Sequence, residues 1–229
     1  MTADVGIVIV AGGSGSRAGT GELKQFRWVS GKPMLLHSVQ IFQRRPDVAM
    51  VVVVLPREHV ADPPPWLFQC DTDRLLLSVG GRHRSASVRN GLEDLADDLT
   101  IAVIHDAARP LVTDEMIDRV IGEARKGNGA APGIPVVDTL KRVDESGKVI
   151  ETVDRAGIVR IQTPQAFPRW MIERAHAEAR ASNLTATDDA ALCERLGFPI
   201  IVVAGSEKAL KITRDIDFAH AEALCMLRE

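Results

Sequence analysis

The chain has 229 residues, a formal net charge of −3, three cysteines and 45% hydrophobic residues. That length fits one α/β domain, or at most two small ones, and supplies enough apolar residues for a sizeable core. The acidic balance argues against broad, sequence-independent nucleic-acid binding, which needs a basic face. No apolar run approaches the ~18–20 residues of a membrane span, and no basic residue precedes the first apolar stretch, as a cleavable signal peptide would require.

Cys70, Cys193 and Cys225 are odd in number and widely spaced. They form neither a metal-ligand pattern nor a disulfide framework, so each reads as a small apolar residue and a reducing, cytoplasmic compartment is expected.

In chain order, residues 6–10 (GIVIV) predict a first buried strand. Pro33 opens a helical pattern with Leu35, Leu36, Val39 and Phe42 on one face. Buried strands are predicted at 50–55 (MVVVVL) and 75–79. A helix at 85–95 carries Val88, Leu92 and Leu95, with Ser85 as its expected N-cap. A fourth strand at 101–105 (IAVIH) runs into the polar group DAARP. Thr113 is the predicted N-cap of the next helix, whose first turn holds Asp114 and Glu115, where carboxylates suit the dipole.

This alternation, with continuous apolar runs in the strands, predicts a mostly parallel sheet with helices on both faces. One domain is expected over 1–229, because the sheet pattern continues across the stiff loop Pro63-Pro64-Pro65.

The rhythm changes after Pro135. Residues 139–143 (TLKRV) and 148–153 (KVIETV) flank the turn Asp144-Glu145-Ser146-Gly147, a hairpin signature too polar for core. Two readings stand: a projecting β-arm around 137–157 that pairs with another subunit, and a solvent-exposed flap. The α/β pattern then resumes, with helices at 168–181, 188–196 and 216–227 and a strand at 200–203.

In an open α/β sheet ligands bind at the carboxyl ends of strands. That rule selects AGGSGSR after the first strand and DAARP after the fourth. The first loop departs from G-x-G-x-x-G, since the sixth position from Gly13 is Ala18, and the second strand lacks the acidic residue of a dinucleotide site. Nor does a Lys-Ser or Lys-Thr follow at the spacing of a phosphate-binding G-x-x-x-x-G-K-[ST] loop. What remains are backbone amides freed by Gly12, Gly13 and Gly15, then Arg17 and Lys24. Glycines let the main chain approach a ligand, and successive N–H groups can line an anion site. An Arg fork and a Lys point charge over a triphosphate would stabilise charge that builds as pyrophosphate leaves. A glycine-rich turn with two solvated cations is the alternative.

The ordered set AGGSGSRAG…KQF, HDAARP, DTLKRV, VDR, TPQAF, TDDA and LKITRDID resembles the 2-C-methyl-D-erythritol 4-phosphate cytidylyltransferases, from about residue 8 onward. The resemblance implies a single Rossmann-like α/β domain, a homodimer with exchanged β-arms, a divalent cation such as Mg²⁺, and transfer of a cytidylyl group from CTP to 2-C-methyl-D-erythritol 4-phosphate. It further implies that Arg17 and Lys24 stabilise the transition state and that Arg155 and Lys211 complete the catalytic set. It assigns the nucleotide to Ala11, Gly12, Gly13, Gly15, Gly81, Ser87, Asp106 and Ala107, and the metal to Asp106. The polyol phosphate falls to Arg109, Thr139, Thr163 and Thr187, with Thr139 and Arg155 reaching into a partner's site. His105 reads as a strand-end packing residue.

Two departures stand out. The first loop reads Ala11-Gly12-Gly13 where the family often has A-A-G, and Leu23 precedes Lys24 where many members have proline. The glycine at 12 also resembles the ribitol-5-phosphate cytidylyltransferases, which are the alternative. A nucleotide-binding protein without catalysis is a third reading.

Overall fold

The computed structural model describes residues 3–13 and 23–226. Gly15 and Arg17 therefore lie outside the described residues. The elements in chain order are β1 (Val5–Val10), β2 (Trp28–Val29), β3 (Lys32–Pro33), α1 (Met34–Gln43), β4 (Val48–Leu55), α2 (Arg57–Ala61), β5 (Leu75–Val79), α3 (Arg84–Glu93) and β6 (Ile101–Asp106). There follow α4 (Asp114–Arg125), β7 (Gly129–Pro135), β8 (Leu140–Val143), β9 (Val149–Val153), β10 (Val159–Ile161), β11 (Gln165–Pro168), α5 (Arg169–Ala181), α6 (Asp189–Arg195), β12 (Ile200–Ala204) and α7 (Asp215–Met226).

Eight strands among the described residues form one sheet in the order β10-β7-β11-β6-β1-β4-β5, with β12 also pairing β7. The pairs β1–β4, β1–β6, β4–β5 and β7–β12 are parallel. The sheet is mostly parallel, as expected, but β10 and β11 run antiparallel to their neighbours.

Successive side chains on a strand face opposite sides, and here both sides are covered. Ile7 and Ile9 of β1 join one core with Leu35, Val39 and Phe42 of α1 and Met116, Ile117 and Val120 of α4. Val8, between them, joins the other core with Val88 and Leu92 of α3 and Met171, Ile172 and Ala175 of α5. This double coverage is why the strands read as unbroken apolar runs. Burial of that extent contributes roughly 25 cal/mol per Å² of apolar area removed from water.

Most predicted elements appear within a residue or two of their expected ends. The expected cap of α3 does not: α3 begins at Arg84 with His83 as N-cap, without a side-chain cap bond. At Thr113 the cap forms as expected, its hydroxyl accepting from the Met116 N–H. β8 and β9 pair only with each other and stand apart from the main sheet. This arm exposes Val143, Val149 and Ile150, the last at 60%.

Candidate active site

β1 and β6 are neighbours in register, Val10 opposite Asp106, so the glycine loop and the DAARP loop leave the same sheet edge together. The Ala107 N–H donates to the Val10 carbonyl at 3.2 Å, and the Ala11 N–H to the Val54 carbonyl at 2.9 Å. Above them lies an open cleft of about 630 Å³, lined by Ala11, Gly12, Gly13, Lys24, Gly81, Ser87, Asp106, Ala107 and Lys211, among others. Sequence reasoning missed Gln25, Arg82, His83, Arg84 and Thr213, which also line it.

Gln25 explains how the first loop is held. Its buried amide Nε2 donates to the Ala11 carbonyl at 2.7 Å and to the Gly13 carbonyl at 3.1 Å. With those two carbonyls drawn to one side, the intervening backbone is fixed for ligand approach. The lack of a side chain at Gly12 matters here: a Cβ would lie 3.3 Å from both Gly80 Cα and Ser87 Oγ. Ser87 is buried, with its hydroxyl accepting from the Gly81 N–H at 3.0 Å and donating to the His83 carbonyl at 3.3 Å. It pins the Gly81 loop against the first loop.

Asp106 ends β6 and is itself buried. One carboxylate oxygen accepts from Arg84 Nε at 3.1 Å and the other from Lys211 Nζ at 2.7 Å. Burial alone would raise this carboxyl, but the charges of Arg84 and Lys211 outweigh it and hold the group ionised well below the usual carboxylate range. Lys211 reaches it because the Ile212 N–H donates to the Ala108 carbonyl at 2.8 Å. Lys24 Nζ donates to the Ile212 carbonyl at 2.8 Å, so both lysines meet on one segment. That segment is fixed by Asp217 of α7, whose Oδ2 accepts from the Thr213 N–H, the Thr213 hydroxyl and the Arg214 N–H, each at 2.8 Å.

Thr163 departs from its expected role. It is buried; its hydroxyl accepts from the Asp106 N–H at 3.0 Å and meets His105 Nδ1 at 3.2 Å. His105 Nε2 faces the Arg109 carbonyl at 3.1 Å; a carbonyl only accepts, so Nε2 carries the hydrogen and Nδ1 accepts from Thr163. Burial pushes His105 down to about 4, so the ring is neutral. Thr163 thus turns inward and holds the end of β6. His105 packs edge-on to Phe42, in keeping with a packing role.

Arg109 also faces protein. Its Nη1 donates to the Ala209 carbonyl at 2.8 Å, while its buried Nε has no hydrogen-bond partner among the described residues. Thr187 is exposed on the turn ahead of α6, away from the cleft residues. Thr139 and Arg155 are exposed on the arm, where Arg155 Nη1 donates to the Val137 carbonyl, and neither reaches this chain's own cleft.

The described residues contain no cluster of three or more His, Cys, Asp or Glu able to cage a metal. A lone cleft carboxylate still suits Mg²⁺, which keeps several waters and is bound through one or two carboxylates plus substrate phosphates. Each Asp106 oxygen accepts one N–H and retains a further lone pair.

With a glycine-loop backbone, two lysines and an ionised carboxylate at one edge of its α/β sheet, and with relatives that are cytidylyltransferases, the chain is a nucleotidyltransferase. The chain belongs to the 2-C-methyl-D-erythritol 4-phosphate cytidylyltransferase (IspD) family, whose model matches residues 5–227. It is 37% identical to 2-C-methyl-D-erythritol 4-phosphate cytidylyltransferase of Syntrophus aciditrophicus, covering 100% of this chain and 99% of that one. It is 40% identical to the same-named protein of Desulforamulus reducens, covering 96% and 95%. The crystal structure of the same-named protein from Thermus thermophilus superposes with a TM-score of 0.81 at 34% identity, covering 96% of this chain and 98% of the other. These likenesses lend no support to the ribitol-5-phosphate alternative.

Proposed function

We propose that this chain joins CTP and 2-C-methyl-D-erythritol 4-phosphate to give 4-diphosphocytidyl-2-C-methyl-D-erythritol and pyrophosphate, a step toward isoprenoid precursors. The observation that carries this reading is the convergence of the Ala11–Gly13 backbone, Lys24, Asp106 and Lys211 on one cleft. An oxygen of the polyol phosphate attacks the α-phosphorus of CTP in line. A new P–O bond forms as the bond to the bridging oxygen breaks, and the electron pair leaves with pyrophosphate. The nucleophile is already an anion, so no general base is needed. Positioning and charge neutralisation carry the catalysis. The inward-facing, neutral His105 fits a site that asks for no proton transfer.

In this reading Lys24, with Arg17 from outside the described residues, faces the triphosphate, and Lys211 orients the polyol phosphate. Gly81, Ser87 and Ala107 present backbone and hydroxyl to the nucleoside. Asp106 would hold Mg²⁺ or another divalent cation, which when bound neutralises phosphate charge. The exposed, self-paired arm supports a homodimer in which Thr139 and Arg155 serve the partner's cleft. No helix among the described residues is long and apolar enough to cross a membrane. The three free thiols favour the cytoplasm.

The test is pyrophosphate release by purified protein with CTP, Mg²⁺ and each polyol phosphate in turn. Release with 2-C-methyl-D-erythritol 4-phosphate well ahead of ribitol 5-phosphate is expected. The reverse order would overturn the substrate. CTP binding without release in either case would mark a protein that binds but does not react.

A further inference from the structure

Behind the cleft sits a second buried carboxylate to which the reaction assigns no task. Asp189, the first residue of α6, is 1% exposed at its side chain, and His176 of α5 is 2% exposed. His176 Nε2 lies 3.0 Å from Asp189 Oδ1, and Arg84 Nη1 donates to Asp189 Oδ2 at 2.7 Å. Arg84 Nε donates in turn to Asp106 at 3.1 Å. A line of polar contacts thus runs from α5 through α6 and α3 to the end of β6.

We propose that His176 and Asp189 are positioning residues: together they fix the plane of the Arg84 guanidinium, and Arg84 fixes the rotation of the Asp106 carboxylate. This rests on the reading of Asp106 as the group that faces the metal and the phosphates.

Three features carry it. A guanidinium is planar, so holding Nη1 on Asp189 and Nε on Asp106 sets its whole orientation. Arg84 Nη2 is buried without a hydrogen-bond partner among the described residues, so with Asp189 neutralised the group would swing toward solvent in the cleft. His176 Nδ1 is likewise buried without a hydrogen-bond partner among the described residues, which leaves Nε2 as the ring's polar attachment, donating to an ionised acceptor.

Stability alone does not account for the arrangement. Asp189 is flanked by Ala190, Leu192 and Cys193 of one apolar core. Replacing a buried ion pair by well-packed apolar residues is often neutral or stabilising, so the gain lies in geometry. Asp106 then has both oxygens assigned, one by Arg84 and one by Lys211.

The experiment compares Asp189→Asn, His176→Leu, His176→Gln and Asp106→Asn, each checked by thermal melting. Asp189→Asn and His176→Leu are expected to lower kcat by about 10- to 100-fold, the usual cost of losing a group behind a metal-facing residue. KM for CTP should hold within about threefold, since no nucleotide contact is removed. His176→Gln, which can still donate to Asp189, should recover most of the loss. The Asp189→Asn, His176→Leu double variant should be no worse than Asp189→Asn alone, because the two act in series. In ¹⁵N-arginine-labelled protein without substrate, a slowly exchanging Arg84 Nε–H signal should be present in the wild type and lost in Asp189→Asn and His176→Leu. Folded variants with wild-type kcat and an unchanged signal, or losses that multiply in the double variant, would overturn the proposal. Should Asp189→Asn fail to fold, the His176→Leu and His176→Gln pair decides it. An Asp106→Asn variant at full rate would instead overturn the reading of the site itself.

Discussion

Lys211 Nζ and Asp106 Oδ2 lie 2.7 Å apart although 105 positions separate them in the chain. The ammonium expected to meet one substrate and the carboxylate expected to meet the metal of the other occupy each other in the free protein. Lys211→Met should therefore lower kcat/KM for the polyol phosphate by roughly 10²-fold, the scale of one lost charge-stabilising donor. Steady-state pyrophosphate release measures it. A loss under tenfold would reduce Lys211 to a counter-charge for Asp106.

Gln25 holds the loop after β1 by two carbonyls. Gln25→Leu keeps the volume and strands both acceptors in a buried place. Destabilisation of about 1–3 kcal/mol is expected, with weaker CTP binding as the loop relaxes. Urea unfolding and CTP titration read the two effects. Unchanged CTP affinity would show that the loop keeps its shape without the amide.

His105 gives stability a pH dependence. In the fold burial pushes it down to about 4, while in the unfolded chain it titrates near 6.5. Between those values the unfolded chain binds a proton that the native ring does not. Stability from this group is thus full above about 6.5 and is lost as pH falls toward 4, by about 3 kcal/mol. Asp106, held low in the fold, adds a loss of its own only at the bottom of that window, below about pH 5. Denaturant unfolding of metal-free protein across the window should show the slope, and His105→Gln should flatten it. An equal slope in that variant would assign the effect elsewhere.

The arm offers a test by complementation. On the proposed function, Lys24→Ala should disable a chain's own cleft and Arg155→Ala what it would lend to a partner. Each should be nearly inactive alone, and mixed chains should regain part of the wild-type rate because some dimers carry one intact composite cleft. No recovery on mixing would leave Arg155 serving its own chain.

The strands that carry the cleft loops were legible because burial on both faces leaves β1, β4 and β6 with apolar runs rich in β-branched residues. The hairpin at β8 and β9 was legible from its turn chemistry. β7, reading GAAPGIP, was not, because small residues carry little strand signal. They are required there since β7 meets β10, β11 and β12: a Cβ on Gly133 would lie 2.5 Å from Val202 Cγ1. In the cleft, the family resemblance carried by motif spacing pointed to Lys24, Asp106 and Lys211, which line it. It could not say that the Thr163 hydroxyl turns inward, since spacing does not report which way a side chain faces. Nor could it foresee the Arg84–Asp189 bridge, whose partners stand 105 positions apart.

Lys211 is held in place by the cap that Asp217 of α7 provides. A growing chain makes Asp106 early and receives its ammonium 105 residues later. At about 5–20 residues per second, that is roughly 5–20 s on the ribosome with β6 made and its charge partner still to come. Over that interval Asp106 lacks the lysine it pairs with in the finished fold, so the pair waits for the segment that leads into α7.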